Sequence, residues 1–318
     1  MIKSRRSFII GIKGTKLNRK EISFIKKYKP WGVILFTRNI NTIEQTKRLT
    51  NSIRKIYKDK NFPILVDQEG GRVARLNSII LSTAFPGNFF GNMYKKDPKN
   101  LNYYLDIYIN QISYLLREIG INLNTSPVLD LKVKNTTKII GDRAFSSNIK
   151  IVNKIGDLVI EKFHYNKIGT VIKHIPGHGL AKSDSHIRTP YIYKNLNYLK
   201  RNDFKVFKNK KSIFAMTAHI IFSKIDPTYT VTHSKKLINI IRNEINFKNL
   251  IISDDISMKS LKFSTLTNTQ KAFQAGCNLV LHCNARMSEM KVVAENSPKL
   301  DNFLLKKTLE FYKLVNIK

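Results

Sequence analysis

Short apolar runs alternate with longer amphipathic stretches from one end of the 318-residue chain to the other. That alternation is the pattern of repeated strand–helix units feeding a parallel sheet. The runs that read as strands cover residues 8–12, 32–36, 64–66, 121–124, 170–172, 213–216, 250–252 and 279–281. Such a set is what a closed (β/α)8 barrel of the TIM type requires. No Pro/Gly/Ser-rich linker, low-complexity tract or short repeat divides the runs, so a single barrel domain over residues 1–318 is the expected organisation. Residues 304–318 read as one lysine-rich helical stretch.

Polar residues gather directly behind these apolar runs, on the side where a barrel would bring all its strand ends to one face. Thr37, Arg38 and Asn39 follow the second run, and Asp67, Gln68, Glu69, Gly70, Gly71, Arg72 and Arg75 follow the third. Pro127 and Asp130 follow the fourth, Lys173 and His174 the fifth, and Thr217 and His219 the sixth. Ser253, Asp254 and Asp255 follow the seventh, and His282 and Asn284 the eighth. The densest stretch is VIKHIPGHGLAKSDSH, residues 171–186. Pro176, Gly177 and Gly179 stop any helix there, which places Lys173 and His174 at a strand end rather than inside a regular ladder.

Charge changes the picture less than its size suggests. The formal net charge is +34, from 56 basic and 22 acidic residues, a balance that ordinarily points to a polyanionic partner. Here the lysines are dispersed along the whole chain, as a compositional bias would leave them. The expectation is a solvated lysine-covered surface with no nucleic-acid or membrane partner. The apolar run at residues 8–12 is too short for a signal peptide, and no later run is long enough to span a bilayer. A cytoplasmic protein, monomeric rather than oligomeric, is expected. Cys277 and Cys283 form neither a disulfide framework nor a zinc-finger pattern and read as buried thiols.

Two groups carry candidate chemistry. Asp254, between Ser253 and Asp255 behind an apolar run, could attack an electrophilic carbon and form an ester intermediate. Equally, one of the adjacent acids could cap the next helix, and the sequence alone does not divide the roles. Asp184, Ser185 and His186 form the second group, because a histidine oriented by a carboxylate can serve as general acid and then general base. In GDRAFS, Arg143 could grip a polar substrate or make a loop-stabilising ion pair with Asp142 or another nearby acid. The histidines and acids at the strand ends could instead bind a metal, but His174 and His178 cannot share a helical face across Pro176 and Gly177.

Taken together, the segments WGVILFTRN, VDQEGGRVARL, SPVLDL, GDRAFS, KHIPGHG, DSH, MTAHIIF, ISDDISM and AGCNLVLHCN resemble, in order and through nearly the whole chain, the family 3 glycoside hydrolases. Within that family they are most similar to the bacterial β-N-acetylhexosaminidases of cell-wall recycling. The resemblance implies a retaining exo-β-N-acetylglucosaminidase with Asp254 as nucleophile and His186 as acid/base, partnered by Asp184. It implies that Asp67, Arg75, Arg143, Lys173 and His174 hold a terminal N-acetylglucosamine. It leaves His178 without a chemical role and makes Arg72 and His219 secondary pocket residues. The implied substrate is N-acetylglucosamine linked to anhydro-N-acetylmuramic acid, with or without peptide, and no metal or organic cofactor is implied. A β-glycosidase of other sugar specificity and a basic nucleic-acid-binding protein on an inactive barrel are the alternatives.

Overall fold

A computed structural model describes residues 2–134, 139–185 and 187–316. Eight of the strands among these residues are β1 (Arg6–Gly11), β2 (Pro30–Leu35), β3 (Ile64–Val66), β4 (Leu123–Asn124), β5 (Gly169–Ile175), β6 (Phe214–Thr217), β7 (Leu250–Asp255) and β8 (Leu279–His282). All their pairings are parallel, and β8 pairs back onto β1, which closes the barrel. Every predicted run falls on a strand; the third coincides with it and the others have shifted ends.

Two of the shifts matter for the site. Lys173 and His174 lie within β5, not beyond it, and Lys173 is opposite Met216 in the ladder. The expectation that the strand ends at residue 172 is therefore corrected. The ladder slips between Lys173 and Ile175, so irregularity is present, but inside the strand. Likewise β7 runs on through Asp255, and its pairing with β8 slips between Leu279, opposite Ile252, and Leu281, opposite Asp255. Such slips re-aim side chains where a strand reaches a functional face.

The helices that wrap the barrel begin where the sequence supplies acceptors for their free N–H groups. Asn18, Thr42, Ser234, Ser264 and Asp301 each accept from a first-turn N–H, and Glu21 completes a reciprocal capping box with Asn18. Side chains alternate along the strands: Phe8 and Ile10 pack outward under the helices, whereas Ile9 faces the barrel axis. At the amino-terminal end of the barrel, Trp31 and Phe214 meet Phe311 of the helix Asn302–Val315, with ring centroids 5.5–6.3 Å apart. The Trp31 indole N–H donates to Thr308 Oγ1 at 2.9 Å. This helix, read as a lysine-rich stretch over residues 304–318, is thus the plug of the barrel floor. Ile317 and Lys318 lie outside the described residues.

Candidate active site

Polar residues from several of these strand ends meet in one cavity of about 170 Å³ at the opposite end of the barrel. Its lining includes Asp67, Glu69, Arg75, Arg143, Lys173, His174, His178, Ser185 and Asp254.

The loop after β3 supplies the first group. Gly70 and Gly71 turn the backbone with φ of 93° and 61°, values that a side chain rarely permits. Gln68 then locks the turn from inside: its Oε1 accepts the N–H groups of Arg75 and Leu76, and its Nε2 donates to Ser82. Asn124 at the end of β4 holds the Gln68 backbone by both its N–H and its C=O. Asp67 and Glu69 flank this locked residue and face Lys173. The Lys173 ammonium, 3% exposed, donates to Asp67 Oδ1 at 3.1 Å, Glu69 Oε1 at 2.6 Å and Thr125 Oγ1 at 2.9 Å, which uses all three of its protons.

Arg143 joins this group. Its Nε and one terminal nitrogen clasp the two Glu69 oxygens at 2.8 Å each, the paired geometry that a guanidinium fork offers a carboxylate. Asp142, the acid next to it in sequence, pairs with Arg72, at 3.0 Å. Burial pushes the Asp67 and Glu69 carboxyls up, but adjacent Lys173, with Arg75 for the first and Arg143 for the second, outweighs it. Both are held below the usual range, Glu69 at about 2. Lys173 is raised: burial works against its charge, and Asp67 and Glu69 overcome it.

Asp130 organises the second group. The segment after β4 stays alongside β5, with Leu129 N–H on the Lys173 C=O at 2.8 Å and Lys173 N–H on the Pro127 C=O at 3.2 Å. Asp130, fully buried, is thereby set against His174. It accepts His174 Nδ1–H at 2.6 Å, His174 N–H at 3.2 Å and His178 N–H at 2.7 Å. His178 packs edge-on to His174, 5.5 Å between ring centres, and its Nε2 lies 3.3 Å from Ser185 Oγ. Burial, then the neighbouring His174, depresses His178 to about 4, so its ring is neutral at pH 7. The contact is to Ser185, the middle residue of the DSH triplet. The Asp184 backbone C=O accepts the N–H groups of Ile187 and Arg188. His186 lies outside the described residues.

The paired acids of β7 both line the cavity but differ in their hydrogen bonds. Asp255 is occupied by Ser257 N–H and Oγ and by Cys283 N–H. Asp254 faces the cavity and, among the described residues, accepts the Asp255 N–H at 2.8 Å. Burial would raise the Asp254 carboxyl, but His219, His174, the Asp255 N–H and Lys173 together lower it. His219 Nε2–H donates to the Asp255 C=O at 3.0 Å while Nδ1 faces Thr232 Oγ1 at 2.7 Å. Burial lowers its proton affinity against the pull of Asp254, and its two ring contacts brace the strand. Cys277 is buried as expected, but Cys283 is only half-buried and lines the cavity, because it follows the last residue of β8. Among the described residues no three His, Cys, Asp or Glu side chains are grouped to hold a metal ion, and no helix is long and apolar enough to cross a membrane.

An eight-stranded parallel barrel with acids and bases converging at its carboxyl-terminal mouth defines a TIM-barrel protein with an enzyme-like site. The model of the glycosyl hydrolase family 3 N-terminal domain matches residues 5–304, and the chain belongs to that family. It is similar to the β-hexosaminidase of Haemophilus influenzae, 32% identical over 307 residues, covering 92% of this chain and 85% of that protein. It is also similar to the β-hexosaminidase of Haemophilus ducreyi, 33% identical over 288 residues, covering 87% and 80%. Among solved structures, NagZ from Neisseria gonorrhoeae in complex with N-trifluoroacetyl-D-glucosamine superposes with a TM-score of 0.86 at 28% identity, covering 97% of this chain and 90% of that one.

Asp130 and Glu69 stand among the residues behind the fourth and third runs, but neither the pairing of Asp130 with His174 nor the bridging of Lys173 and Arg143 by Glu69 was apparent from sequence. A usable signal was the scarcity of acids: with only 22 in the chain, an acid directly behind an apolar run stands out.

Proposed function

We propose that this protein is a retaining exo-β-N-acetylglucosaminidase that releases terminal N-acetylglucosamine from soluble fragments of peptidoglycan in the cytoplasm. The preferred substrates are N-acetylglucosaminyl-anhydro-N-acetylmuramic acid and its peptide conjugates. The observation that carries the reading is the contrast in β7: both acids line a sugar-sized cavity, but the Asp255 side chain is engaged by the Ser257 and Cys283 N–H groups and the Ser257 hydroxyl, whereas among the described residues Asp254 accepts only the Asp255 N–H. The relatives named β-hexosaminidase and the neighbour bound to an N-acylated glucosamine support the choice of sugar.

In this reading Asp254 attacks the anomeric carbon and forms a glycosyl ester while His186, partnered by Asp184, gives a proton to the departing oxygen. His186 then takes a proton from water, whose oxygen displaces Asp254 and restores the configuration. Asp67, Arg75 and His174 meet the sugar. Lys173 and Arg143 hold those groups in place and can exchange a protein partner for a sugar hydroxyl. Comparison of 4-nitrophenyl β-N-acetylglucosaminide with the β-glucoside tests the substrate, and a preference for the glucoside would overturn it. Asp254→Asn should abolish turnover, and a slow substrate should leave its sugar on the peptide that contains Asp254. Full activity in that variant would refute the assignment.

A further inference from the structure

Asp130 is a fully buried carboxylate that the proposed reaction does not use. Buried charge is retained only where it is compensated, and among the described residues the compensating donors belong to His174 and His178. We propose that Asp130 is a positioning residue for His174: by accepting the Nδ1 proton it leaves Nε2 unprotonated, as the acceptor that His174 offers to a sugar hydroxyl.

Both ends of the ring point to the same tautomer. At one end the 2.6 Å contact to Asp130 Oδ2 requires a proton on Nδ1, because an ionised carboxylate only accepts. At the other end Nε2 lies 3.4 Å from a terminal nitrogen of Arg143, which only donates. Arg143 and His174 both line the cavity. Asp130 also fixes the ring from behind through the backbone N–H groups of His174 and His178. Asparagine cannot reproduce this set, since its NH2 would face one of three donors. The arrangement differs from that of His219, whose Nε2 must carry the proton to reach the Asp255 C=O.

The tautomer is read directly from ring-nitrogen NMR of the full-length protein labelled in histidine, without ligand, with His174 assigned from a His174→Gln sample. The expected wild-type form carries its proton on Nδ1; a proton on Nε2 alone overturns the proposal. Asp130→Asn should move the proton to Nε2 and weaken binding of free N-acetylglucosamine by about 10- to 100-fold, the usual effect of removing an orienting partner. In a His174→Ala background the same substitution should change affinity by less than about twofold, because coupled positions are not additive. Equal losses in both backgrounds would make Asp130 a backbone anchor only and overturn the proposal. Should Asp130→Asn fail to fold, the wild-type spectrum still decides. The affinity arm rests on the proposed sugar specificity, whereas the tautomer arm does not. A correct tautomer in a protein indifferent to N-acetylglucosamine would sink the specificity and leave the positioning intact.

Discussion

Replacing Glu69 by glutamine removes a charge that is 5% exposed and answers two cations at once, Lys173 at 2.6 Å and Arg143 at 2.8 Å. The amide keeps one acceptor and turns a donor toward the other partner, so a buried ion pair is broken rather than neutralised, a change that costs roughly 3–5 kcal/mol. Proton linkage gives a second estimate. The carboxyl is held at about 2 against an ordinary 4.5, and at about 1.4 kcal/mol per pKa unit this corresponds to about 3 kcal/mol. With ordinary unfolding entropies per residue over a chain of this length, that is a fall in Tm of about 4–5 °C. Because the folded pKa is depressed, the stabilisation is fully present above pH 4.5 and is lost as pH falls toward 2. Calorimetry of wild type and Glu69→Gln between pH 7.5 and pH 3 should therefore show a gap that is constant to about pH 4.5 and then narrows. A gap below about 1 °C at pH 7, or one that widens in acid, would refute the account of this network.

Asp203 has the opposite sign: it is buried with Oδ1 unpartnered among the described residues, and burial, then Asp130, raises it to about 7. Its folded form holds a proton that the unfolded chain has released, so stability falls as pH rises from 3.8 toward 7, by up to about 4 kcal/mol. Asp203→Asn should match wild type near pH 4 and exceed it in Tm at pH 8. Ser185→Ala removes the partner of His178 beside the proposed acid/base. It should slow aryl N-acetylglucosaminides with poor leaving groups by about three- to tenfold and dinitrophenyl substrates much less, because only the former need protonation; equal slowing would point to general damage. At Gly91 a β-carbon would sit 1.6 Å from the Phe145 carbonyl oxygen. Gly91→Ala should thus force the segment after Arg143 aside, with a loss of about 2–3 kcal/mol in denaturant titration and a raised KM.

The barrel was legible because its strands are apolar runs punctuated by turn residues, a local signal that survives without tertiary information. Site residues were legible as types but not as partnerships. Lys173 and His174 look like a strand end because they are polar, yet the ladder continues through them, their side chains being satisfied by Asp67, Glu69 and Asp130. Arg143 has an acid next to it in sequence and binds another 74 positions away. Asp254 and Asp255 are indistinguishable as letters; what separates them is the turn at Ser257 and the N–H of Cys283, both of which engage Asp255.

The helix Asn302–Val315 seals the end of the barrel remote from the cavity, and Trp31 reaches Thr308 across 277 positions of sequence. Foundation and workplace are therefore assembled from different parts of the chain. Substitutions at Phe311 would register in thermal tolerance while the chemistry at the far rim stays intact, so endurance and catalysis can be tuned as separate properties of one molecule.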